Sequence, residues 1–415
     1  MEQVKVGIIG SGISGLICAY LLRRKFDVTI YESDIKPGGH VNTVEVKGER
    51  GTQNIDTGFI VFNESNYPNF VSLLDHLEIE SKTTRMGFSV RCDKSGIEYS
   101  GESLRGLFGA KRNLVDFKHW GMVREIFRFH SIAKKNLRTQ ESVDDFLLKN
   151  HFSKRFRDVF LLPLGSALWS CPSTKFGKFP MEFVIDFLSN HKMLQSFDRP
   201  IWRVLKDGSR AYVDQMVKNI GNRLHLNTPV KRVSRSKEGV NIELQDGTNA
   251  RFDEVILACH ADQSLKMIDQ PTHEEKKLLE AFPYEQNLIS LHSDDSLLPR
   301  RNSARASWNA HIPEAHSEKA TVTYDMNILQ GLSCSQPFCV SLNQERSIES
   351  NKHHGDFKFS HPTYHEGRKS AQKRHREFIR NQGISLCGAY WGYGFHEDGL
   401  SSGLRVCEAF GERLK

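Results

Sequence analysis

Gly10-Ser11-Gly12-Ile13-Ser14-Gly15 stands between one apolar run, Val4 to Ile9, and another, Ser14 to about Arg24. That context turns a common glycine hexapeptide into a dinucleotide-binding signal: a buried parallel strand, a tight turn, then a helix whose N-terminus meets phosphate. Gly10 permits the turn, Gly12 lets a pyrophosphate approach the backbone, and Gly15 lets helix and strand pack closely. Unpaired N–H groups of Ile13, Ser14 and their neighbours carry the partial positive charge of the helix end. A second strand, Asp27 to Glu32, follows, and Glu32 falls where a carboxylate accepts hydrogen bonds from ribose hydroxyls and disfavours a 2′-phosphate. This strand-helix-strand unit is expected to cross over right-handed.

Further along, Ser33 leads to a paired glycine, Gly38-Gly39, where the chain can pass close beside an extended cofactor. Short strands follow around Val41 to Val46. From about 76 to 204 the pattern changes to several helices and many aromatics. Strand alternation returns at Leu224 to Val233, Val240 to Glu243 and Val255 to Leu257, and again at Asn287 to His292, Ala320 to Tyr324 and Phe338 to Leu342. The last forty residues give a strand, Ile384 to Cys387, a glycine-rich loop, Gly388 to Gly399, and a closing helix from about Ser401.

Composition narrows the function class. The 415 residues suffice for two or three domains, and a 38% hydrophobic, 26% charged chain is a globular one. No apolar run reaches the length of a bilayer span, and no leader pattern opens the sequence, so a cytoplasmic protein is expected. Eight cysteines include no Cys-x-x-Cys pair and are expected to be free thiols. His353, His354, His361, His365 and His375 have no carboxylate or cysteine framework; they are expected to be solvated loop residues, with no metal site. Net charge is +7, and eight Lys/Arg against Asp116 and Glu125 lie between Arg105 and Lys135. No nucleic-acid motif accompanies that charge. Trp120, Met122, Val123, Ile126, Phe127 and Phe129 share a face at helical spacing among Lys118, Arg124, Arg128, Lys134 and Lys135. Such a helix either buries one face in its own domain or lies on an anionic membrane surface.

The stretches Val6 to Glu32, Gly38 to Thr43, Asp56 to Asn63 (with Thr57 and Gly58), Thr228 to Val230, Asp253 to Ala258, Trp308-Asn309, Thr323-Tyr324, Met326-Asn327 and Gly388 to Gly399 resemble the flavin-containing amine oxidase superfamily, which includes phytoene desaturases and protoporphyrinogen oxidases. The chain looks most like its subgroup of predicted FAD/NAD-binding proteins. The resemblance implies an α/β fold with a discontinuous Rossmann-type (GR2-like) FAD-binding domain, 1–75, 205–270 and 375–415, and an interleaved α+β substrate domain, 76–204 and 271–374. It implies that the Val230 backbone meets the adenine side, that Asp398 lies near the pyrophosphate or ribityl chain, and that Gly399 and Leu400 offer N–H groups to the flavin pyrimidine, favouring reduced flavin.

Departures shape the reaction expected. His40 follows the glycine pair where many relatives carry arginine, so charge beside the flavin is expected to vary with pH. The lysine that many amine oxidases hold near the flavin has no counterpart around Asn287 to His292. No cysteine-containing linkage motif is present, Cys387 reading as a strand residue, so FAD is expected to bind noncovalently. A single Gly-x-Gly-x-x-Gly gives no second site for NAD(P)H. The expected activity is hydride removal from a hydrophobic small molecule, with a lipid or fatty acyl chain as a candidate. Amine oxidation, flavin-dependent isomerisation and a non-catalytic flavin-binding module are the alternatives. Phe59, Trp169, Trp308, Tyr324, Tyr390 and Trp391 are candidates to line the substrate cavity; His40, Tyr390, Trp391 and His396 are candidates for the reacting site, and His40, His292 and His396 for acid-base work. Oligomeric state is open.

Overall fold

The fold was obtained as a computed structural model, which describes residues 3–49, 51–135, 138–195, 199–314, 321–364 and 367–414. It is a mixed α/β structure. A five-stranded parallel sheet runs in the order Leu224–His225, Asp27–Tyr31, Lys5–Ile9, Glu254–Leu257, Ile384–Leu386. Its central strand is apolar on both faces because both are covered. Val6 and Ile8 join the core made with the helix Ile13–Leu22, all ten of whose residues are buried. Ile9 packs on the other face with Ile242 and Phe252 of a three-stranded meander, Val230–Ser236, Gly239–Leu244 and Asn249–Phe252. A Cβ added to Gly7 would stand 2.9 Å from both Ile242 and Phe252.

The chain's last helix, His396–Ala409, lies against its first. Gly399 and Gly403 make the approach possible: Ser14 Oγ donates to Gly399 O at 2.7 Å, and a Cβ on Gly403 would meet Ile17 at 2.5 Å. This helix starts five residues before the expected Ser401, because Asp398 accepts from Phe395 N–H at 2.9 Å and closes its first turn.

A seven-stranded sheet, in the order His353–Pro362, Tyr284–His292, Cys339–Leu342, Val322–Asp325, Trp308–Ile312, Phe88–Cys92, Ile97–Ser100, forms the opposite wall of the molecule. Two expectations change here. The stretch 76–204 contributes strands as well as helices: Phe88–Cys92 pairs in parallel with Trp308–Ile312, and Ser81–Thr84 pairs with Trp202–Leu205. Their partners lie more than a hundred residues away, so no local rhythm announced them. The histidine-rich segment is a ten-residue strand paired with Tyr284–His292 along its length. His365 and Ala320 lie outside the described residues.

Candidate functional site

The glycine turn opens on a cavity of about 1580 Å³, larger than the roughly 300–1,000 Å³ of ordinary small-molecule pockets. It starts at the carboxyl ends of the parallel strands, the usual ligand position in an open α/β sheet. Gly10 has φ +101°, and a Cβ on Gly15 would stand 1.9 Å from Gly10 O, so both positions require glycine for the turn itself. Gly12 differs: nothing in the protein lies within 4 Å of where its Cβ would be, and it faces the cavity. Open space in front of a helix N-terminus fits the pyrophosphate of a dinucleotide.

Glu32 closes this end. Its carboxylate accepts from Ser11 N–H at 2.8 Å and Ser11 Oγ at 2.6 Å on one oxygen, and from Ser33 Oγ at 3.1 Å and Asp34 N–H at 3.0 Å on the other. Gly38 N–H donates to Ser11 O at 3.0 Å and holds the second glycine turn against the first. Gly39, Thr57, Gly58, Val230, Gly388 and Gly399 also line the cavity. The Thr57 hydroxyl is held by Asn42, and Gly388 N–H donates to Ser402 Oγ at 2.8 Å.

Three residues expected at the cofactor stand off the cavity wall. Gly15 lies behind the turn and does not line the cavity. Asp398 is absent from the wall as well, its carboxylate being engaged at the helix start, where burial pushes its pKa up to about 6. Leu400 is fully buried in the core, and the N–H of Gly399 is already directed at Phe395 O at 3.2 Å.

Among the reacting-site candidates, His40 and His396 face the cavity. His40 Nε2 donates to Ser360 O at 3.2 Å, which leaves the lone pair on Nδ1. Burial lowers its pKa, which favours the neutral ring around pH 7. His396 stacks on Phe59 with centroids 3.8 Å apart, bonds Tyr212 OH through Nε2 at 2.8 Å, and is pushed down to about 3 by burial. Tyr390 touches the cavity but is packed into the core on Phe282. Trp391 does not line the cavity; it stacks on His375 behind it, at 4.1 Å. His292 is also removed from the site: Nε2 bonds Ser341 Oγ at 2.8 Å and Nδ1 accepts from Asp294 N–H. Phe59, Trp169, Trp308 and Tyr324 all reach the wall.

Four histidines not foreseen as site residues line the cavity, His130, His191, His260 and His361, and the last two stand beside His40. His361, expected in solvent, is carried inward by the alternation Phe357, Phe359, His361 along its strand; Asn287 Nδ2 donates to its Nδ1 at 3.1 Å. His260 stacks on Tyr284 at 4.4 Å. Both rings lie 5.6 Å from that of His40, and burial pushes each down to about 3. The sequence signal for His260 was its place just beyond a parallel strand, Glu254–Leu257, where site residues collect. Among the described residues no group of His, Cys, Asp and Glu could hold a metal.

Beyond the glycine turn the cavity becomes an apolar chamber, walled by Met86, Phe88, Phe160, Leu168, Ile289 and Leu342 together with the aromatics already named. Its lining carboxylates are Glu32 and Asp34 at the phosphate end and Glu102 at the far side.

No curated protein matches the chain. Solved structures share its fold along nearly its full length: a cyclohexylamine oxidase from Brevibacterium oxydans IH-35A (13% identity, TM-score 0.70, 98% of each chain covered), a CLA-producing fatty acid isomerase from P. acnes (15%, 0.68, 98% of each), and a putative protoporphyrinogen oxidase from Exiguobacterium sp. 255-15 (13%, 0.70, 99% of each). The family described as flavin containing amine oxidoreductase matches residues 13–287, more than half the sequence. With a glycine turn at one end of the cavity and an apolar chamber at the other, the chain belongs to that family and is an FAD-dependent oxidoreductase.

Proposed function

We propose that the protein removes hydride from a hydrophobic substrate, a lipid or fatty acyl chain, held in the apolar chamber. The observation that carries this reading is the cavity's wall: it is largely aromatic and aliphatic, and its charged members are mostly cations, Lys192, Arg199, Lys231, Lys266 and Lys358, against the carboxylates Glu32, Asp34 and Glu102. In the chamber an ammonium substrate would meet only Glu102, which is already paired with Arg85, whereas an acyl chain is stabilised by removal of apolar surface from water.

FAD is held noncovalently, in this reading, by the cradle residues Gly10, Gly12, Ile13, Ser14, Glu32, Ser33, Gly38, Gly39, Thr57, Gly58, Val230, Gly388 and Gly399, with Gly15 shaping the turn. Cys387 is fully buried and off the cavity wall, which supports the absence of a thioether link. The Rossmann-type domain is formed by 1–75, 205–270 and 375–415; the five parallel strands drawn from those stretches support it. The substrate domain is formed by 76–204 and 271–374. When bound, FAD supplies the hydride acceptor. The chain's part is to exclude water, to align the substrate against the aromatic wall, and to accept a proton. His40 is our choice for that acceptor, since it is neutral and keeps a lone pair on Nδ1. Eight free cysteines fit a reducing, cytoplasmic setting.

The fatty acid isomerase of like fold shows that this architecture accommodates a fatty acid in another protein, so isomerisation is the second outcome to be tested. The FAD-loaded protein is titrated anaerobically with fatty acids, lipid extracts and amines while the oxidised-flavin band near about 450 nm is followed. Bleaching by a lipid fraction is expected. Bleaching by amines alone would sink the proposal, and double-bond migration without net bleaching would convert it to isomerisation. A flavin that nothing bleaches and no product would indicate a binding module.

A further inference from the structure

One surface of the molecule contradicts the ordinary burial of apolar side chains. Phe117 is 91% exposed, Leu104 77% and Val115 76%, with Leu114, Trp120 and Phe127 about half exposed beside them. They belong to three short-linked helices, Leu104–Leu107, Lys111–Val115 and Phe117–Lys135. These are tied into one surface by the Phe108–Trp120 ring contact at 4.3 Å and by the bonds His119 Nε2 to Leu107 O (2.9 Å) and Trp120 Nε1 to Leu114 O (3.0 Å). Of the amphipathic set read from sequence, Met122 and Phe129 point into the core and Val123, Ile126 and Phe127 line the cavity. Leu104 and Phe127 are both exposed and cavity-lining, so the apolar surface and the cavity wall share these two side chains.

Charge selects the occupant. Arg105, Lys118 and Arg124 are exposed and have no carboxylate partner among the described residues. The acids of the same surface are engaged: Asp116 with Arg155 at 2.7 Å, Glu125 with Arg128 at 3.7 Å, Glu102 with Arg85 at 2.8 Å. A rim of free cations around bulky apolar side chains suits an anionic lipid surface, where the cations meet headgroups and the apolar tips enter the acyl boundary. No helix among the described residues is long and apolar enough to cross a membrane.

We propose that this surface docks on an anionic bilayer and that an acyl chain passes from the lipid into the chamber between Leu104 and Phe127 without crossing water. The passage rests on the hydrophobic-substrate reading; the docking does not. The FAD-loaded full chain is floated with phosphatidylcholine vesicles and with vesicles that also contain phosphatidylglycerol, alongside Phe117→Ser/Val115→Ser and Lys118→Glu/Arg124→Glu. Wild type should float with the anionic vesicles and lose binding as salt rises. The charge variant should bind at least about twenty-five-fold more weakly, each of the two removed cations contributing about fivefold. The apolar variant should lose binding as well, both variants retaining their flavin spectrum. Docking is overturned if wild type floats with neither vesicle, or if both variants bind as wild type does. Dimerisation lost in Phe117→Ser/Val115→Ser, without flotation, would assign the surface to a second copy and also overturn it. Bleaching by detergent-dispersed lipid without flotation would leave the substrate reading standing and docking refuted; flotation with no lipid able to bleach the flavin would do the reverse.

Discussion

The glycine turn and the apolar chamber are two ends of one cavity, built on opposite plans. At the turn, a few residues close in sequence fix the backbone geometry: a Cβ at Gly15 would overlap Gly10 O, and Glu32 gathers Ser11, Ser33 and Asp34 around its carboxylate. In the chamber the wall is assembled from strands and helices far apart in the chain, and its character rests on bulk and apolarity rather than on any single contact. Recognition of a constant cofactor can be written locally, whereas a variable substrate is met by surfaces that only the folded chain brings together.

The sharpest way to break this contrast is to add one carbon at each of two glycines. Gly15→Ala should cost about 1–3 kcal/mol or more in the FAD-free protein, because its Cβ overlaps a backbone oxygen that cannot move aside. Gly12→Val should leave the FAD-free melting temperature unchanged and weaken FAD at least about tenfold, about 1.4 kcal/mol, since its side chain enters only the open space before the helix. Equal effects of the two on FAD-free stability, read by thermal melts and fluorescence titration of FAD, would refute the separation of packing from binding. Glu32→Ala should cost about 1–3 kcal/mol by leaving Ser11 N–H and its neighbours unpaired, and should weaken FAD as well.

The chamber should respond differently. Trp308→Ala should raise KM for the substrate about tenfold while FAD content and kcat change little, as expected for lost apolar contact that is equal in ground and transition states. A parallel fall in FAD occupancy would show that the two ends are not separable.

The smallest effect concerns the histidines between the two ends. His260, His361 and His396 are each pushed down to about 3 by burial, while an unfolded histidine titrates near about 6.5. Between those values the unfolded chain binds protons that the native chain refuses, so stability falls as pH drops through that window and is complete above it. Asp398 and Asp56, pushed up to about 6, act in the opposite sense between about 3.9 and 6, favouring the folded state when protonated. With more histidines than acids in the balance, urea midpoints should decline from pH 7 toward pH 4. His361→Gln should flatten that slope by up to one proton; an unchanged slope would place His361 in solvent.

Much of the nucleotide end was legible in the sequence. Gly10, Gly12, Gly15 and Glu32 fall at spacings that a strand, turn and helix convert directly into geometry, because each constraint acts within one supersecondary unit. Side-chain direction was not legible there: Asp398 turned to its own helix start and Trp391 onto His375. The reverse case was His361, whose polar neighbours read as a solvated loop until pairing with Tyr284–His292 made a strand of them and fixed which face it presents.

By itself, then, the sequence determined the glycine turn and the parallel strand before it, since these are set by contacts a few residues long and by backbone sterics, while the flavin family was legible as a resemblance spread along the chain. Only the tertiary structure decided the chamber, the gathering of His40, His260 and His361, and the exposure of Phe117. Which face of a strand or helix is buried is a property of the partner it meets, and those partners lie up to hundreds of residues away.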